Sequence, residues 1–264
     1  MKKKFHMKID GVGLLLPVFI LILWYVLTSI GSTPEYFLPS PGRLTRVTVD
    51  FLTGYLQITP YAGDFLSHSL ASICRVTGGF LLALSVGLPL GFLSGHIPLF
   101  KRVVEPSIHL VRTVPGIGWL PVALVWFGVG GKTTVFLIAL AAFFPIYINT
   151  VQGVGAVSPL LIRAGRMLGA NRWGLITTVI IPASMPSVFA GIRTGLGLSW
   201  AYLVLGELTG VSQGLGAVMM DARMLGHLDM LIVCMICIAF WGRISDLILV
   251  YVFRSFPMRR FAPN

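Results

Sequence analysis

The 264-residue chain is 56% hydrophobic and only 11% charged, whereas soluble domains carry about 25% charged residues. Together with several apolar runs of about 20 residues, this composition predicts a polytopic helical membrane protein and excludes an ordinary soluble domain. A net charge of +11 would suggest nucleic-acid binding in a soluble protein. Here most positive side chains lie in short segments between apolar runs, where they indicate topology instead.

The N-terminal residues combine a cationic start with an apolar run. The first ten residues contain Lys2, Lys3, Lys4 and Lys8. The run from Gly11 to Ile30 would form about 30 Å of helix, which is long for the core of a signal peptide, and no small-residue cleavage site follows it. We therefore predict an uncleaved first span, with the N-terminus in the cytoplasm.

Residues 31–65 are polar and rich in turn-forming residues, which predicts an external loop. Within this loop, the segment from Gly42 to Leu56 places apolar side chains near one helical face and favours an amphipathic surface helix. The side chains expected on that face are Leu44, Val47, Phe51, Leu52 and Tyr55.

Five further apolar runs complete a predicted bundle of six transmembrane helices. They lie at about residues 70–95, 107–128, 133–151, 187–210 and 229–252. In the first of these runs Gly87, Gly91 and Gly95 recur at four-residue intervals, a spacing that lets helices approach closely. Residues 214–227 are predicted to form an external loop.

The run at 107–128 contains the sequence RTVPGIGWLP, with two prolines and two glycines. A regular helix is hard to maintain there, and broken backbone at membrane depth is tolerated where protein or a water-filled path satisfies it. We interpret this segment as part of a substrate path, with a proline-kinked packing helix as the alternative. The candidate path residues are Arg112, Pro115, Gly116, Trp119, Arg193 and Glu207.

The distribution of positive residues supports this topology. Twelve Lys and Arg residues fall in the predicted cytoplasmic segments and four in the external ones. Because cytoplasmic loops carry an excess of Lys and Arg, the bias indicates six spans with both termini inside.

Six ionisable side chains fall inside the predicted spans, where insertion at the helix centre costs roughly 2.5–3.5 kcal/mol each. Arg75 and Glu207 share a depth near the outer face, carry opposite charges and are predicted to pair. Arg243 and Asp246 are three residues apart and can pair along one helix. Structural pairing is one interpretation of these charges, and a cationic lining for an anionic substrate is the other.

The stretch from Ser158 to Pro186 is cationic and is flanked by apolar runs. Its spacing predicts two short amphipathic helices joined at Gly169, which suits the left-handed backbone that ends a helix. Pro182 and Pro186 are expected to end the second helix and restart the chain.

This loop resembles the EAA loop of ABC importer permeases, a cytoplasmic coupling helix that sits in a groove of the ATPase subunit. The resemblance rests on A-G-x-x-x-G from Ala164 to Gly169 and on a proline thirteen residues later. Arg163 stands where the motif has its glutamate. The residues that the resemblance assigns to ATPase docking are Arg163, Ala164, Gly165, Leu168, Gly169, Ala170 and Pro182.

The resemblance extends in collinear order over about residues 37–250. The permeases of the nitrate/sulfonate/taurine importer branch are similar to the segments FLPSPGRL, HSLASICRVTGGF, VPGIGWLPVALVWFGVG, FFPIYINTVQGV and GLSWAYLVLGEL. The resemblance implies an all-α type I importer permease in the inner membrane. Its implied partners are a second copy of the chain, two ATPase subunits and an external solute-binding protein. It also implies that ATP and Mg²⁺ bind the ATPase, with no cofactor in this chain, and that the cargo is a small anion such as an aliphatic sulfonate, taurine or nitrate.

No catalytic motif emerges from the sequence. The chain has no G-x-x-x-x-G-K-[ST] phosphate loop, and its five histidines are too far apart to form a metal-binding pattern. Cys234 and Cys237 lie inside an apolar run and are interpreted as packed thiols. We therefore expect no enzymatic activity, no metal site and no nucleic-acid partner.

Two other functions fit the composition. An ion-coupled secondary transporter would show inverted repeats with broken helices in both halves, and the sequence contains only one broken span; the other possibility is a non-transporting scaffold subunit. The predicted organisation is a tail and first span at 1–30, the external loop at 31–65 and a five-helix core at 66–253. The core includes the coupling loop at 152–186, and a cytoplasmic tail follows at 254–264.

Overall fold

The structure, a computed structural model, describes residues 11–30 and 37–255, and its regular secondary structure over those ranges is entirely helical. The α-helices are α1 (Gly11–Ser29), α2 (Pro41–Thr53), α3 (Phe65–His96), α4 (Pro98–Thr113), α5 (Leu120–Phe127), α6 (Gly131–Gly155), α7 (Pro159–Met167), α8 (Arg172–Gly174), α9 (Ile181–Glu207), α10 (Leu215–Met224) and α11 (Leu228–Ser255). A 3₁₀ helix at Gly116–Trp119 precedes α5, and a π-helical stretch at Leu175–Ile180 joins α8 to α9.

Four helices in the described ranges are long and apolar enough to cross a membrane, and one bent pair gives a fifth candidate. Helix α1 adds a shorter apolar segment, Leu15–Ser29. The predicted cytoplasmic side chains of Lys2, Lys3, Lys4, Lys8, Arg259 and Arg260 lie outside the described residues.

Two compact units divide the described chain. One comprises the residues up to Phe65 together with Asp221–Val233, and the other comprises Leu66–Met220 together with the residues from Cys234 onward.

Helix α2, in the first unit, confirms the predicted amphipathic helix, but it ends at Thr53 rather than at Leu56. The Ser40 hydroxyl caps its first turn, and Gly54 ends it in the left-handed conformation (φ 69°). Tyr55 therefore lies beyond the helix and is 88% exposed, while Leu52 points outward at 48% exposure. The buried face is formed by Leu44, Val47, Asp50 and Phe51.

Asp50 organises the turn that follows α2. Its carboxylate, which is buried, accepts hydrogen bonds from the Ile58 amide (3.1 Å), the Thr59 amide (2.8 Å) and the Thr59 hydroxyl (2.9 Å). Burial acts to raise the pKa of the Asp50 carboxyl, but the hydrogen bonds from Thr59 and Ile58 outweigh it and leave the pKa below its ordinary value.

The core of the second unit forms where α3, α6 and α9 meet. Its buried apolar cluster consists of Val76, Phe80, Ala83, Ile138, Ala142, Ile146, Leu196, Trp200 and Leu203. The predicted glycine row allows α3 to contact α6. A Cβ on Gly91 would lie 2.7 Å from the Thr150 Cβ and one on Gly95 2.7 Å from the Val154 Cβ, so neither position has room for a side chain.

The predicted third span is broken, as expected, but it starts earlier and bends further than the sequence suggested. Helix α4 begins at Pro98 rather than near Ser107, and it meets the segment Gly116–Phe127 at an angle of 90°. Val114 and Pro115 interrupt the helix with extended backbone (ψ 119° and 135°). Proline lacks an amide proton and disfavours helical backbone in the residue before it, which explains the position of the break.

The basic loop contains one of the two predicted short helices. Helix α7 ends before Gly169, whose φ of 82° is the left-handed value that the sequence predicted. The prediction that Pro182 and Pro186 end a second short helix is wrong, because Arg172–Glu207 is a single 36-residue helix. The π-helical turn just before Pro182 shifts the hydrogen-bonding register, so the missing amide and the proline ring are accommodated without a break.

The predicted external loop at 214–227 contains an unpredicted helix, α10. Leu215, Val218 and Ala222 have no exposed surface. Their spacing of three and four residues is that of one buried helical face, a signal that the polar residues nearby obscured.

Candidate functional site

A cavity of about 380 Å³ lies at the broken span, between the end of α4, the 3₁₀ helix, α6 and α9. Four of the predicted path residues, Arg112, Pro115, Gly116 and Trp119, line it. The remaining walls combine polar groups from Asn149, Thr194 and Tyr202 with apolar side chains such as Leu140, Phe144, Ile148 and Leu198. Among the described residues that line the cavity, one is cationic and none is acidic.

Gly116 lets the broken backbone pack directly on α9. A Cβ at this position would overlap the hydroxyl and ring of Tyr202, so the close approach requires glycine. The same contact places the Tyr202 hydroxyl beside the break, at the cavity wall.

Several polar groups of the cavity have no partner within the described part of the chain. Arg112 is exposed and makes no ion pair there, and the Trp119 Nε1–H is buried without an acceptor. Asn149 uses one amide hydrogen to bond the Pro145 carbonyl at 2.8 Å, which leaves its other polar positions free. Of these groups, the Trp119 Nε1–H is the one that is buried without a partner in the described chain, which is unusual for a buried donor.

Arg193, a predicted path residue, lies in an ion-pair network outside the cavity lining. Its guanidinium donates to both carboxylate oxygens of Asp246, at 2.6 and 2.8 Å. The predicted contact between Arg243 and Asp246 is present but longer, at 3.3 Å. The sequence missed the shorter pair because the register of α9 against α11 cannot be read from either helix alone.

Glu207, the other predicted path residue outside the cavity, forms the predicted pair with Arg75. The Arg75 Nη1 lies 2.5 Å from Glu207 Oε1, and the carboxylate has no exposed surface. The Ser72 hydroxyl lies 2.9 Å from both carboxylate oxygens, and the Gly216 amide donates to Oε2 at 2.8 Å. We call Ser72, Arg75, Glu207 and the Gly216 amide the Glu207 cluster.

Side chains of the Glu207 cluster also form hydrogen bonds with the backbone of the segment that joins α9 to α10. Arg75 donates to the Gln213 carbonyl at 2.6 Å, and the Leu215 amide donates to the Ser72 hydroxyl at 2.9 Å. Sequence reasoning missed Ser72, although it lies one helical turn before Arg75 on the same face. This carboxylate therefore accepts hydrogen bonds from α3 and from the start of α10.

The loop around α7 presents cations and apolar side chains together. Arg163, Arg166 and Arg172 are exposed, and so are Leu160 (73%), Met167 (87%), Leu168 (88%) and Trp173 (75%). We call these seven residues the loop surface.

The predicted docking residues lie on α7, at the turn around Gly169 that follows it, and at the start of α9. Gly165 packs on Leu175, and its carbonyl accepts from the Ala170 amide at 3.1 Å, while Gly169 donates to the Arg166 carbonyl at 3.0 Å. Arg163 and Ala164 are exposed on α7, whereas Pro182 is buried at the start of α9.

Comparison with known proteins identifies the architecture. Residues 87–256 match the family model described as binding-protein-dependent transport system inner membrane component. A putative ABC transporter permease protein of Methanocaldococcus jannaschii is 36% identical over 256 residues, covering 95% of this chain and 94% of the relative. The putative aliphatic sulfonates transport permease protein SsuC of Bacillus subtilis is 35% identical, covering 89% of this chain and 82% of the relative.

A solved structure shows the same fold. A chain from the MetNI methionine ABC transporter in inward-facing conformations superposes with a TM-score of 0.54 at 19% identity, covering 70% of this chain and 95% of that one. With the family match and the two relatives, the chain belongs to the binding-protein-dependent transport system inner membrane components, as a multi-pass ABC transporter permease subunit that is not itself an enzyme.

Proposed function

We propose that this permease imports a small anion, such as an aliphatic sulfonate, taurine or nitrate, delivered by an external binding protein. The observation that carries the proposal is the cavity at the broken span, whose described lining contains Arg112 and no carboxylate. A relative named for aliphatic sulfonates supports the same class of cargo. Alternating exposure of this cavity to the two sides of the membrane would move the anion across.

We propose six spans with both termini in the cytoplasm. The four long helices, the bent pair and the shorter helix α1 together supply six apolar elements. The threefold excess of Lys and Arg in the segments assigned to the cytoplasm supports this orientation. Because the cavity is not enclosed by the single chain, a second copy of the permease is the proposed partner that completes the path.

The loop surface is the proposed docking site for the ATPase subunit, which would bind ATP and Mg²⁺. Exposed Met167, Leu168 and Trp173 offer apolar area, and the three arginines offer charge. Aromatic side chains, Met and Arg are enriched in protein interfaces, which supports this assignment.

The test is ATP-driven uptake of a radiolabelled aliphatic sulfonate into proteoliposomes that contain the permease, its ATPase and its binding protein. Gly169→Val should uncouple the transporter, because a β-branched residue is strained at φ 82° and would displace the loop surface. We expect ATP turnover to continue while uptake falls at least tenfold, with the permease still inserted in the membrane.

The matched control is Gly169→Asn, since asparagine adopts the left-handed conformation far more readily than valine. This variant should keep most of the uptake. Normal transport by Gly169→Val, with intact insertion, would overturn the assignment of the loop surface.

A further inference from the structure

We propose that the loop surface docks into an acidic groove of the ATPase subunit, and that Arg163 makes the central ion pair of this contact with a carboxylate of the ATPase. The inference rests on the proposed function, because it concerns the same docking site. It adds the charge of the partner surface and the residue on which the affinity depends. Complementary charge of this kind would also determine which ATPase the permease accepts.

The loop surface carries positive charge that the neighbouring chain does not neutralise. Arg163, Arg166 and Arg172 are exposed, and none of them makes an ion pair within the described residues. The sequence contains no Asp or Glu between Glu105 and Glu207, so the loop and the spans beside it supply no counter-charge. A partner that covers these arginines must bring the negative charge itself, because a charge buried without a partner is strongly disfavoured.

Arg163 lies in the middle of the outward face of α7. Leu160 precedes it by three residues and Met167 follows it by four, so both flank it on the same helical face, and both are exposed. When a partner covers this face, the two apolar side chains exclude water from the guanidinium between them. An ion pair is stronger in such a site than on an open surface, where water and salt screen it.

Arg166 and Arg172 have less apolar surroundings. The side chains that follow Arg166 by three and four residues are Gly169 and Ala170, which are small, and Arg172 lies beyond the turn at the start of α8. We therefore expect these two arginines to lie at the rim of the contact. Rim charges mainly change the rate of association and its salt dependence, whereas a covered ion pair determines the rate of dissociation.

The loop surface is held in place before any partner binds. On the inward face of α7, Ile162 packs against the buried cluster of Val154, Val157 and Ile180. The Asn171 side chain accepts a hydrogen bond from the Gly174 amide at 2.7 Å and so fixes the start of α8. A preformed surface loses little conformational freedom on docking, so more of its contact energy appears as affinity.

Anionic lipid head groups are the other source of negative charge beside a cytoplasmic loop. A helix that lies on lipid carries its charges on one face and its apolar side chains on the opposite face. On α7 the cation and the apolar side chains share a face, so burying Leu160 and Met167 in lipid would bury the charge of Arg163 as well. A protein groove with a carboxylate fits this arrangement better.

The experiment measures the binding kinetics of the purified ATPase subunit on the full permease in lipid nanodiscs. Arg163→Gln should weaken binding about tenfold through faster dissociation, whereas Arg166→Gln and Arg172→Gln should each weaken it less than about threefold through slower association. Arg163→Lys should lie between the parent and Arg163→Gln, because it keeps the charge without the planar fork. The matched control is Arg102→Gln, which removes an exposed arginine near the start of α4 and should leave the affinity unchanged.

A scan of the ATPase identifies the partner of Arg163. Each exposed Asp is changed to Asn and each exposed Glu to Gln, and every ATPase variant is measured with the parent permease and with Arg163→Gln. One ATPase variant should bind both permeases equally weakly, because the ion pair is already lost. If the effect of Arg163→Gln adds fully to that of every carboxylate variant, the inference is overturned.

Nanodiscs of phosphatidylcholine and of phosphatidylglycerol distinguish the ATPase from lipid as the partner. We expect Arg163→Gln to weaken ATPase binding in both, because the carboxylate belongs to the ATPase. A loss confined to one kind of disc would show that the charge acts through lipid. Equal ATPase affinity of the parent and Arg163→Gln in both kinds of disc would likewise overturn the inference.

These outcomes are separable from failure of the proposed function. ATPase binding that is insensitive to Arg163→Gln, together with uncoupling by Gly169→Val, would overturn the inference and leave the docking site intact. Failure of the parent permease to bind the ATPase would overturn the docking site itself. ATPase binding that depends on Arg163, without ATP-driven uptake of any anion, would overturn the proposed transport and leave the acidic contact intact.

Discussion

The Glu207 cluster and the cavity at the broken span both place an arginine among apolar helices, but they treat its charge in opposite ways. Arg75 meets a buried carboxylate at 2.5 Å, and Ser72 and the Gly216 amide satisfy the rest of that carboxylate. Arg112 lines a cavity in which the Trp119 Nε1–H is buried without an acceptor in the described chain. The charge of Arg75 is thus neutralised within the chain, whereas Arg112 makes no ion pair among the described residues.

The largest expected effect is on the Glu207 cluster. Glu207→Gln would leave Arg75 without its counter-charge in a buried site, and removing one partner of a buried pair costs about 3–5 kcal/mol. The free energy of unfolding of the purified permease measures this cost. Asp221→Asn, at an exposed position on α10, should change it by less than about 0.5 kcal/mol.

A double-mutant cycle tests whether the cost comes from the pair itself. Arg75→Gln combined with Glu207→Gln should cost less than the sum of the two single variants, because no charge is left unpaired. Strict additivity would show that the two side chains do not interact energetically.

Asp50, like Glu207, is a buried carboxylate, but it lies outside the spans and accepts its hydrogen bonds from Thr59 and Ile58. Asp50→Ala should cost about 3 kcal/mol, because three hydrogen bonds to a charged acceptor are lost. Val49→Ala, at the exposed neighbouring position, is the matched control.

The pH dependence of the Asp50 contribution follows from its lowered pKa. A carboxylate with a depressed pKa in the folded state stabilises the protein above its ordinary pKa of 3.8, and this contribution is lost as pH falls through the folded-state pKa. The stability difference between the parent protein and Asp50→Ala should therefore stay constant from about pH 7 to pH 5 and shrink below about pH 4. A difference that grows with acid would contradict this account.

Gly116 tests the packing that shapes the cavity. Gly116→Ala places a methyl group where the Tyr202 ring lies, and forced repacking of this kind costs about 2 kcal/mol. The nearest atom to a Cβ on Gly118 is 3.5 Å away, so Gly118→Ala should be nearly neutral. Thermal unfolding of the two variants distinguishes them, and equal effects would contradict the contact with Tyr202.

The smallest effect on stability is expected at Arg112. Because this guanidinium has no ion pair among the described residues, Arg112→Gln should change the free energy of unfolding by less than about 0.5 kcal/mol. Anion uptake by the same variant should nevertheless fall. A large loss of stability would place Arg112 with Arg75 as a structural charge and remove the contrast between the two regions.

The sequence was sufficient where a simple physical rule singled out the residues involved. Opposite charge and matched depth predicted the pair of Arg75 and Glu207, and proline chemistry predicted the break at Pro115. The need for a left-handed residue predicted Gly169 at the end of α7.

The sequence was insufficient where a contact depended on the register between two helices, or where a helix contained a rare backbone form. The pairing of Arg193 with Asp246 depends on how α9 lies against α11, which neither segment encodes alone. The π-helical turn before Pro182 converts an expected stop into a continuous helix, and no local pattern distinguishes the two.

The uninterrupted helix from Arg172 to Glu207 has a mechanical consequence. Its 36 residues extend about 54 Å, well beyond the roughly 30 Å hydrocarbon thickness of a bilayer. One end carries the exposed Trp173 and the other the buried Glu207 carboxylate. In the proposed topology, torsion applied at Trp173 would pass along one continuous helix, without an intervening loop, to Glu207 and its contact with Arg75.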